Sequence, residues 1–154
     1  MFWIKPLLIA VLICVATGFP SIEARADKAA DCDMMLENAI ALFREKGPDY
    51  ALKVLNTRGP FTDGEIYVFA VSMDGTMLAH PYEKGLVGKN VMGLKDAGGT
   101  AIYVLFKKVA EKPGFGWVEH VGHRPGESGV FKKRTLVKRV HGQDCYIGAG
   151  YIEE

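Results

Sequence analysis

The sequence lacks an excess of charge of either sign. Its 154 residues include 19 lysines and arginines and 18 aspartates and glutamates, which gives a formal net charge of +1. Proteins whose main partner is nucleic acid or an anionic membrane usually carry a basic surplus, because that partner is negatively charged. The balanced charge therefore gives no support for nucleic acid as a partner. It favours a small molecule or another protein.

The short motifs of common enzymes are also absent. The chain has no G-x-S-x-G, no cysteine beside a plausible base and no spaced pair of carboxylates in an apolar setting. Asp96 lies in the string LKDAGG, where we expect it to cap the N-terminus of a helix rather than to take part in catalysis. We therefore expect neither an enzyme nor a bound cofactor.

Metal-ligand spacings are missing as well. His120 and His123 lie in the string GFGWVEHVGHRPG, three positions apart, so a regular strand would point them to opposite faces. Chelating histidine pairs use positions i and i+2 on a strand or i and i+4 on a helix, and the sequence has no C-x-x-C. We expect no metal site, and we rank a redox or metal protein last among the possible functions.

Cysteine is scarce, with three residues in the chain. Cys14 lies in the apolar N-terminal run, which leaves Cys32 and Cys145 in the rest of the sequence. In an oxidising compartment these two cysteines could form a disulfide. Two separate buried thiols fit the sequence equally well, because it does not show whether the Cα atoms come within about 7 Å of each other.

The first residues have the order of a secretory signal. Lys5 precedes an apolar run over residues 6–19, and Ala24-Arg25-Ala26 supplies small residues at the positions a signal peptidase reads. The run is shorter than the roughly 20 residues that a membrane-spanning helix needs, although an uncleaved anchor is the alternative. We predict a signal peptide over residues 1–26, cleaved near Ala26, and a periplasmic or secreted domain over residues 27–154.

Hydrophobic periodicity divides that domain into helices and strands. Apolar residues at a 3.6-residue spacing predict a long helix over residues 28–46, and further helices are expected over residues 49–56 and 99–112. Strands are predicted over residues 65–72, 76–80, 115–121, 130–140 and 144–151. The Asp74-Gly75 dipeptide predicts a hairpin turn between the first two strands. Strands joined by hairpins, with an inserted helix on one face, indicate an α+β domain with an antiparallel sheet.

Four strings in this order resemble the Cache family, specifically its single-Cache type. They are FTDGEIYVFAVSMDGTMLAHP, GLVGKNVMGLKDAGGTAIY, GFGWV and IGAGYI, and the resemblance runs over residues 33–152. It implies a PAS-like, five-stranded antiparallel sheet with a long N-terminal helix and one inserted helix. It also implies an extracytoplasmic sensor domain that binds small organic ligands, often short carboxylates, and acts with a membrane histidine kinase or chemoreceptor.

The resemblance and the residues together predict a ligand site. Lys133 would supply an inward cation on a strand whose alternation points Lys132 and Arg134 the other way. His120 stands where the family pattern has a tyrosine, although it could also be a strand histidine without a role. Trp117 would form a flat wall of the pocket or part of the core. The full predicted set is Tyr67, Phe69, Met77, His80, Trp117, His120 and Lys133.

A long loop over residues 81–97 is predicted to cover this site. Gly85, Gly88 and Gly93 punctuate it, and we expect them to allow close approach to the sheet where a Cβ atom or a strained φ would not fit. A closed lid would exclude water and strengthen an ion pair to Lys133.

Two departures from the family pattern support an alternative function. A tyrosine and a tryptophan of the pattern are absent around His120, and a serine-tyrosine pair is replaced by Thr135-Leu136. A chain that kept the fold but lost the pocket would be an interaction or scaffold protein without a ligand. It would have its interior filled by Phe69, Met77 and Trp117.

Overall fold

A computed structural model describes residues 22–153 of the chain. The predicted signal peptide lies outside the described residues except for residues 22–26, which begin the first helix. The elements, in chain order, are α1 (Ile22–Lys46), α2 (Pro48–Leu55), β1 (Thr62–Asp63), β2 (Ile66–Ser72), β3 (Met77–Ala79), a short 3-10 helix (Lys84–Leu86), α3 (Ile102–Glu111), β4 (Phe115–Gly122), β5 (Phe131–Val140) and β6 (Cys145–Ile152).

The strands form one antiparallel sheet in the order β1-β2-β6-β5-β4, and β3 pairs with β2. The predicted α+β class is confirmed, but the sheet has six strands rather than five. The extra strand is β1, which pairs Thr62 with Tyr67 and Asp63 with Ile66. Its two residues fall in a string of turn-forming residues, NTRGPFTDG, which carries too short an alternation to predict a strand.

Strand β6 lies at the centre of the sheet, and all of its residues are buried. Two of its glycines make room for larger neighbours: a Cβ on Gly148 would overlap the ring of Phe69, and one on Gly150 would overlap Thr135 and the Arg134 carbonyl oxygen. The string IGAGYI therefore has a packing reason. The absence of a Cβ at these two positions lets the Phe69 ring of β2 and Thr135 of β5 lie against the central strand.

The two faces of the sheet bury separate hydrophobic clusters. Helices α1 and α2 cover one face, where Leu36, Phe43 and Leu55 pack against alternate residues of β2 and β6. Helix α3 covers the other face, where Phe106 packs among Phe69 and neighbouring residues. This alternation is what a sheet with helices on both faces requires.

The two cysteines of the domain are free and buried. Cys32 lies on α1 and Cys145 begins β6, and both belong to the cluster between α1 and the sheet. Burial raises the pKa of the Cys32 thiol to about 12 and that of Cys145 to about 11. Of the two arrangements that the sequence allows, the structure has the separate thiols and not the disulfide.

None of the helices within residues 22–153 combines the length and the apolar character needed to cross a bilayer.

Candidate ligand-binding cavity

A cavity of about 360 Å³ lies on the α3 face of the sheet. Strands β2, β4 and β5 form its floor, and α3 forms one wall through Ile102 and Phe106. The loop of residues 81–97 forms the cover, to which Leu86 and residues 94–97 contribute. The volume falls within the range of small-molecule pockets. The interior is therefore not filled, contrary to what the scaffold alternative predicts.

Lys133 of β5 points into this cavity, as the alternation of the strand predicts. The residue is only 6% exposed. Its Nζ lies 4.4 Å from the centroid of the Tyr67 ring and 3.4 Å from the Tyr67 hydroxyl oxygen. Among the described residues, no carboxylate forms an ion pair with it. Burial lowers the pKa of Lys133 to about 8, against the opposing influence of Glu65 and Glu83.

His80, at the end of β3, offers the cavity one hydrogen-bond donor. Its Nδ1 accepts hydrogen bonds from the backbone N–H groups of Tyr82, at 3.3 Å, and Glu83, at 2.9 Å. The ring proton therefore resides on Nε2. Burial, together with the nearby charges of Lys133 and Lys84, lowers the pKa of His80 to about 4. The histidine is thus neutral at physiological pH.

His120 of β4 is held by two hydrogen bonds. Its Nδ1 lies 2.9 Å from the carbonyl oxygen of Val121, and its Nε2 lies 2.9 Å from Thr135 Oγ1. A carbonyl can only accept, so Nδ1 carries the proton and, in the neutral ring, the Thr135 hydroxyl donates to Nε2. Burial lowers the pKa of His120, which favours this neutral form. Both ring nitrogens of His120 are therefore hydrogen-bonded within the protein. The ring forms part of the cavity wall and holds the Thr135 hydroxyl in place.

Thr135 is a lining residue that the sequence analysis missed. It is buried, it borders the cavity, and it stands opposite Gly150 in the sheet register. The signal was present in the sequence, because Thr135 shares a strand face with Lys133. Tyr103 of α3 also lines the cavity.

The remaining aromatic residues give the cavity an apolar wall with polar tips. Phe69, predicted as a site residue, packs its ring 5.7 Å from that of Phe106 and 6.3 Å from that of Tyr103. Burial raises the pKa values of Tyr67 and Tyr103. Both phenols therefore stay protonated and can donate hydrogen bonds.

Trp117 does not lie in this cavity, contrary to the prediction. It is on the α1 face, with its ring 5.8 Å from the ring of Tyr151 and 5.1 Å from the guanidinium carbon of Arg134. The reason is strand alternation: Trp117 and His120 are three positions apart on β4 and must point to opposite faces. Trp117 instead lines a groove of about 630 Å³ beside α1.

Met77 is also absent from the cavity lining. It is fully buried in the core cluster of the α3 face, together with Val71 and Val91. Its backbone ties the cover in place, since its N–H donates to the Lys89 carbonyl and its carbonyl accepts from the Gly88 N–H, at 2.9 and 2.8 Å. Met77 supports the loop and does not contact the space beneath it.

The loop of residues 81–97 borders the cavity, but two of the three glycines predicted to shape it do not act as expected. Gly88 has a φ of 83°, which favours glycine, whereas Gly85 and Gly93 have no positive φ. A Cβ added at any of the three would meet nothing within 4 Å. The close approach that the prediction assigned to them occurs at Gly75, where a Cβ would collide with Met92 of the loop.

Asp96 fastens the end of the loop to β4. Its Oδ1 accepts from the Thr100 N–H at 2.7 Å, and its Oδ2 accepts from the Val121 N–H at 3.1 Å. It does not cap α3, whose N-cap is Ala101 without a side-chain hydrogen bond. The predicted capping role is wrong, because the helix begins later than the apolar pattern indicated.

Within residues 22–153, no group of three or more histidines, cysteines, aspartates and glutamates is placed to hold a metal ion.

A sequence model described as single Cache domain 2 matches residues 15–154. Among solved structures, a Cache chemosensory domain studied for carboxylic acid recognition has a TM-score of 0.72 and 21% identity, covering 86% of this chain and 97% of that one. A methyl-accepting chemotaxis protein from Vibrio parahaemolyticus has a TM-score of 0.70 and 19% identity, covering 84% and 91%.

The periplasmic sensor domain of a chemotaxis protein has a TM-score of 0.67 and 21% identity, covering 86% of this chain and 94% of that one. At these identities the likenesses show the fold. No curated protein matches the sequence at a significant level.

Proposed function

The chain belongs to the single Cache domain 2 family, a family of extracytoplasmic sensor domains that bind small ligands, and from this premise we propose that it binds a short organic acid beside Lys133. The acid's carboxylate pairs with the Lys133 ammonium, and its short apolar part contacts the aromatic wall. The domain acts in the periplasm with a membrane signalling partner, either a chemoreceptor or a histidine kinase.

The observation that carries this proposal is the buried ammonium without a carboxylate partner in the described part of the chain. A charge removed from water is costly unless it is paired and hydrogen-bonded. A cavity of about 360 Å³ adjoins this charge and admits a guest of several heavy atoms. An anionic guest would supply the missing partner.

The neutral groups around Lys133 suit a carboxylate. The Nε2–H of His80 and the phenols of Tyr67 and Tyr103 are donors, and a carboxylate accepts several hydrogen bonds at once. His80 cannot donate through Nδ1, because that atom already accepts two backbone N–H groups. The likeness to a domain studied for carboxylic acid recognition supports the same ligand class.

The proposal is tested by comparing acetate and propionate with acetamide and propionamide, which have nearly the same shape but no charge. We expect the acids to stabilise the protein against thermal unfolding, by about 2.7 kcal/mol at a hundredfold excess over Kd. The amides should have no such effect.

Two variants on the same strand control for the charge. Lys133→Met should weaken acetate binding by more than about a hundredfold, because it removes one partner of a buried ion pair. Lys132→Met, at the exposed neighbouring position, should leave binding unchanged. Equal stabilisation by acids and amides, or an unaltered affinity in the Lys133 variant, would rule the proposal out.

A further inference from the structure

The surroundings of Lys133 favour a second kind of chemistry besides ion pairing. The amine is enclosed in a small cavity and, among the described residues, lacks the carboxylate that would hold a buried lysine in its charged form. The hydroxyl of Tyr67 lies 3.4 Å from its Nζ. A desolvated lysine is the kind that acts as a nucleophile toward carbonyl compounds.

We infer that the Lys133 amine reacts reversibly with a small 2-oxo acid or aldehyde to form an imine inside the cavity. This inference rests on the proposed function for the 2-oxo acids, because their carboxylate must enter the same site. It adds a covalent mode of capture to the binding of simple acids.

The step is balanced without an oxidant or a reductant. The free amine attacks the carbonyl carbon, and a C–N bond forms while the carbonyl oxygen becomes a hydroxyl. The hydroxyl then leaves as water, and a C=N bond remains. Counted from the ammonium, the sum is ammonium plus carbonyl giving iminium plus water, so the single positive charge is kept. That charge stays beside the carboxylate of a bound 2-oxo acid.

The neighbouring side chains suit this step. The Tyr67 hydroxyl is placed to exchange a proton with Nζ, and burial raises its pKa, so it stays protonated between events. In the protein without ligand, burial lowers the pKa of Lys133 to about 8, so about a tenth of the amine is free at pH 7 when the carbonyl compound arrives. Besides Tyr67, the titratable side chains that line the cavity with Lys133 are His80, Glu83, Lys95, Asp96, Tyr103, His120 and His123. Glu65 and Cys32 act on Lys133 from outside the lining.

Reductive trapping tests the inference. The purified protein is incubated at pH 7 with glyoxylate and cyanoborohydride, which converts an imine into a stable carboxymethyl-lysine. Peptide mass spectrometry then compares the rate of labelling at Lys133 with that at Lys132, the exposed neighbour on the opposite strand face. Because the fraction of free amine at Lys133 far exceeds that of an ordinary exposed lysine, we expect labelling there to be at least about tenfold faster.

Two additions make the result specific. Excess acetate should slow labelling at Lys133 and leave Lys132 unaffected, because acetate occupies only the cavity. Lys133→Arg should lose the fast label, while Lys132→Arg should keep it. The wild-type comparison of the two lysines stands even where a variant fails to fold.

Labelling of Lys133 no faster than Lys132 would overturn the inference. If acetate still stabilised the protein in that case, the proposed function would stand and only the covalent mode would be lost. If neither acetate binding nor fast labelling occurred, both would fall.

Discussion

Two lysines on opposite faces of strand β5 differ in whether a carboxylate pairs with them. On the α1 face, Lys138 Nζ lies 2.6 Å from Asp33 Oδ1 and 2.5 Å from Glu37 Oε1, both on the helix. On the α3 face, Lys133 is more deeply buried and has no carboxylate partner among the described residues. Lys138 therefore links α1 to the sheet through ion pairs, whereas Lys133, five positions earlier on the same strand, is available to pair with a ligand.

The pKa values differ in the same way. Burial works against the charge of Lys138, but the hydrogen bonds it donates to Asp33 and Glu37 outweigh that effect and raise its pKa. The burial of Lys133 is offset only in part, by Glu65, Cys32 and Glu83, and its pKa falls. The comparison teaches that a buried charge identifies a binding site only when the protein itself provides no counter-charge.

The largest expected effect is on stability without ligand. Lys133→Met removes an uncompensated buried charge and should raise the free energy of unfolding by up to about 3 kcal/mol, since one pKa unit corresponds to about 1.36 kcal/mol. Lys138→Met removes an ion pair whose carboxylates are largely exposed, and should lower stability by less than about 1 kcal/mol. Urea unfolding of both variants checks the opposite signs, and a shift in the same direction for both would break the comparison.

The next largest effect is a pH dependence of stability that arises from Lys133, on the α3 face of the sheet. The pKa of Lys133 is lower in the folded protein, about 8, than in the unfolded chain, about 10.4. The unfolded state therefore binds more protons between these values, and the contribution of Lys133 to stability rises with pH across this window, by at most about 1.4 kcal/mol per unit. Below pH 8 its penalty is present in full.

Other groups titrate in the same window, so the measurement must be a difference. Cys32 and Cys145 have raised pKa values in the folded state, and they lower stability as pH rises above about 8.5. Because both thiols are present in the wild type and in Lys133→Met, most of their effect cancels in the difference. The stability of the wild type minus that of the variant should climb between pH 8 and 10 and should be flattened by bound acetate. A flat difference without acetate would show that Lys133 is not buried as a charge.

Much of this arrangement follows from local patterns in the sequence. The helical spacing predicted α1, the Asp74-Gly75 dipeptide predicted the hairpin between β2 and β3, and strand alternation predicted the inward direction of Lys133. Each of these depends only on residues close together in the chain. For the same reason the two-residue strand β1 was missed, since its pairing with β2 depends on a neighbour rather than on its own alternation.

The site was predicted less well because it depends on how distant segments meet. The loop's contact with Gly75 and the room that Gly148 and Gly150 leave for their neighbours are tertiary features without a local signal. The error at Trp117 is different, because alternation alone already separated it from His120. Trp117 was included in the predicted site because of the family resemblance, although strand alternation placed it on the opposite face from His120.

The smallest expected effect is a change in ligand affinity, which separates Thr135 from Trp117. Thr135→Val keeps the shape of the side chain but leaves His120 Nε2 without its hydrogen-bond partner, which should cost about 1–3 kcal/mol of stability. It should also weaken acetate binding several-fold, because the His120 ring would no longer be fixed at the cavity wall.

Trp117→Phe is the matched variant on the other face of the sheet. It should lower stability by about 1 kcal/mol through lost packing and leave acetate affinity unchanged, because the ring packs against Tyr151 on the α1 side. Calorimetric titration of both variants is the measurement. An equal loss of affinity in the two variants would contradict this comparison. It would show that a change in packing beside α1 alters the cavity on the other face of the sheet.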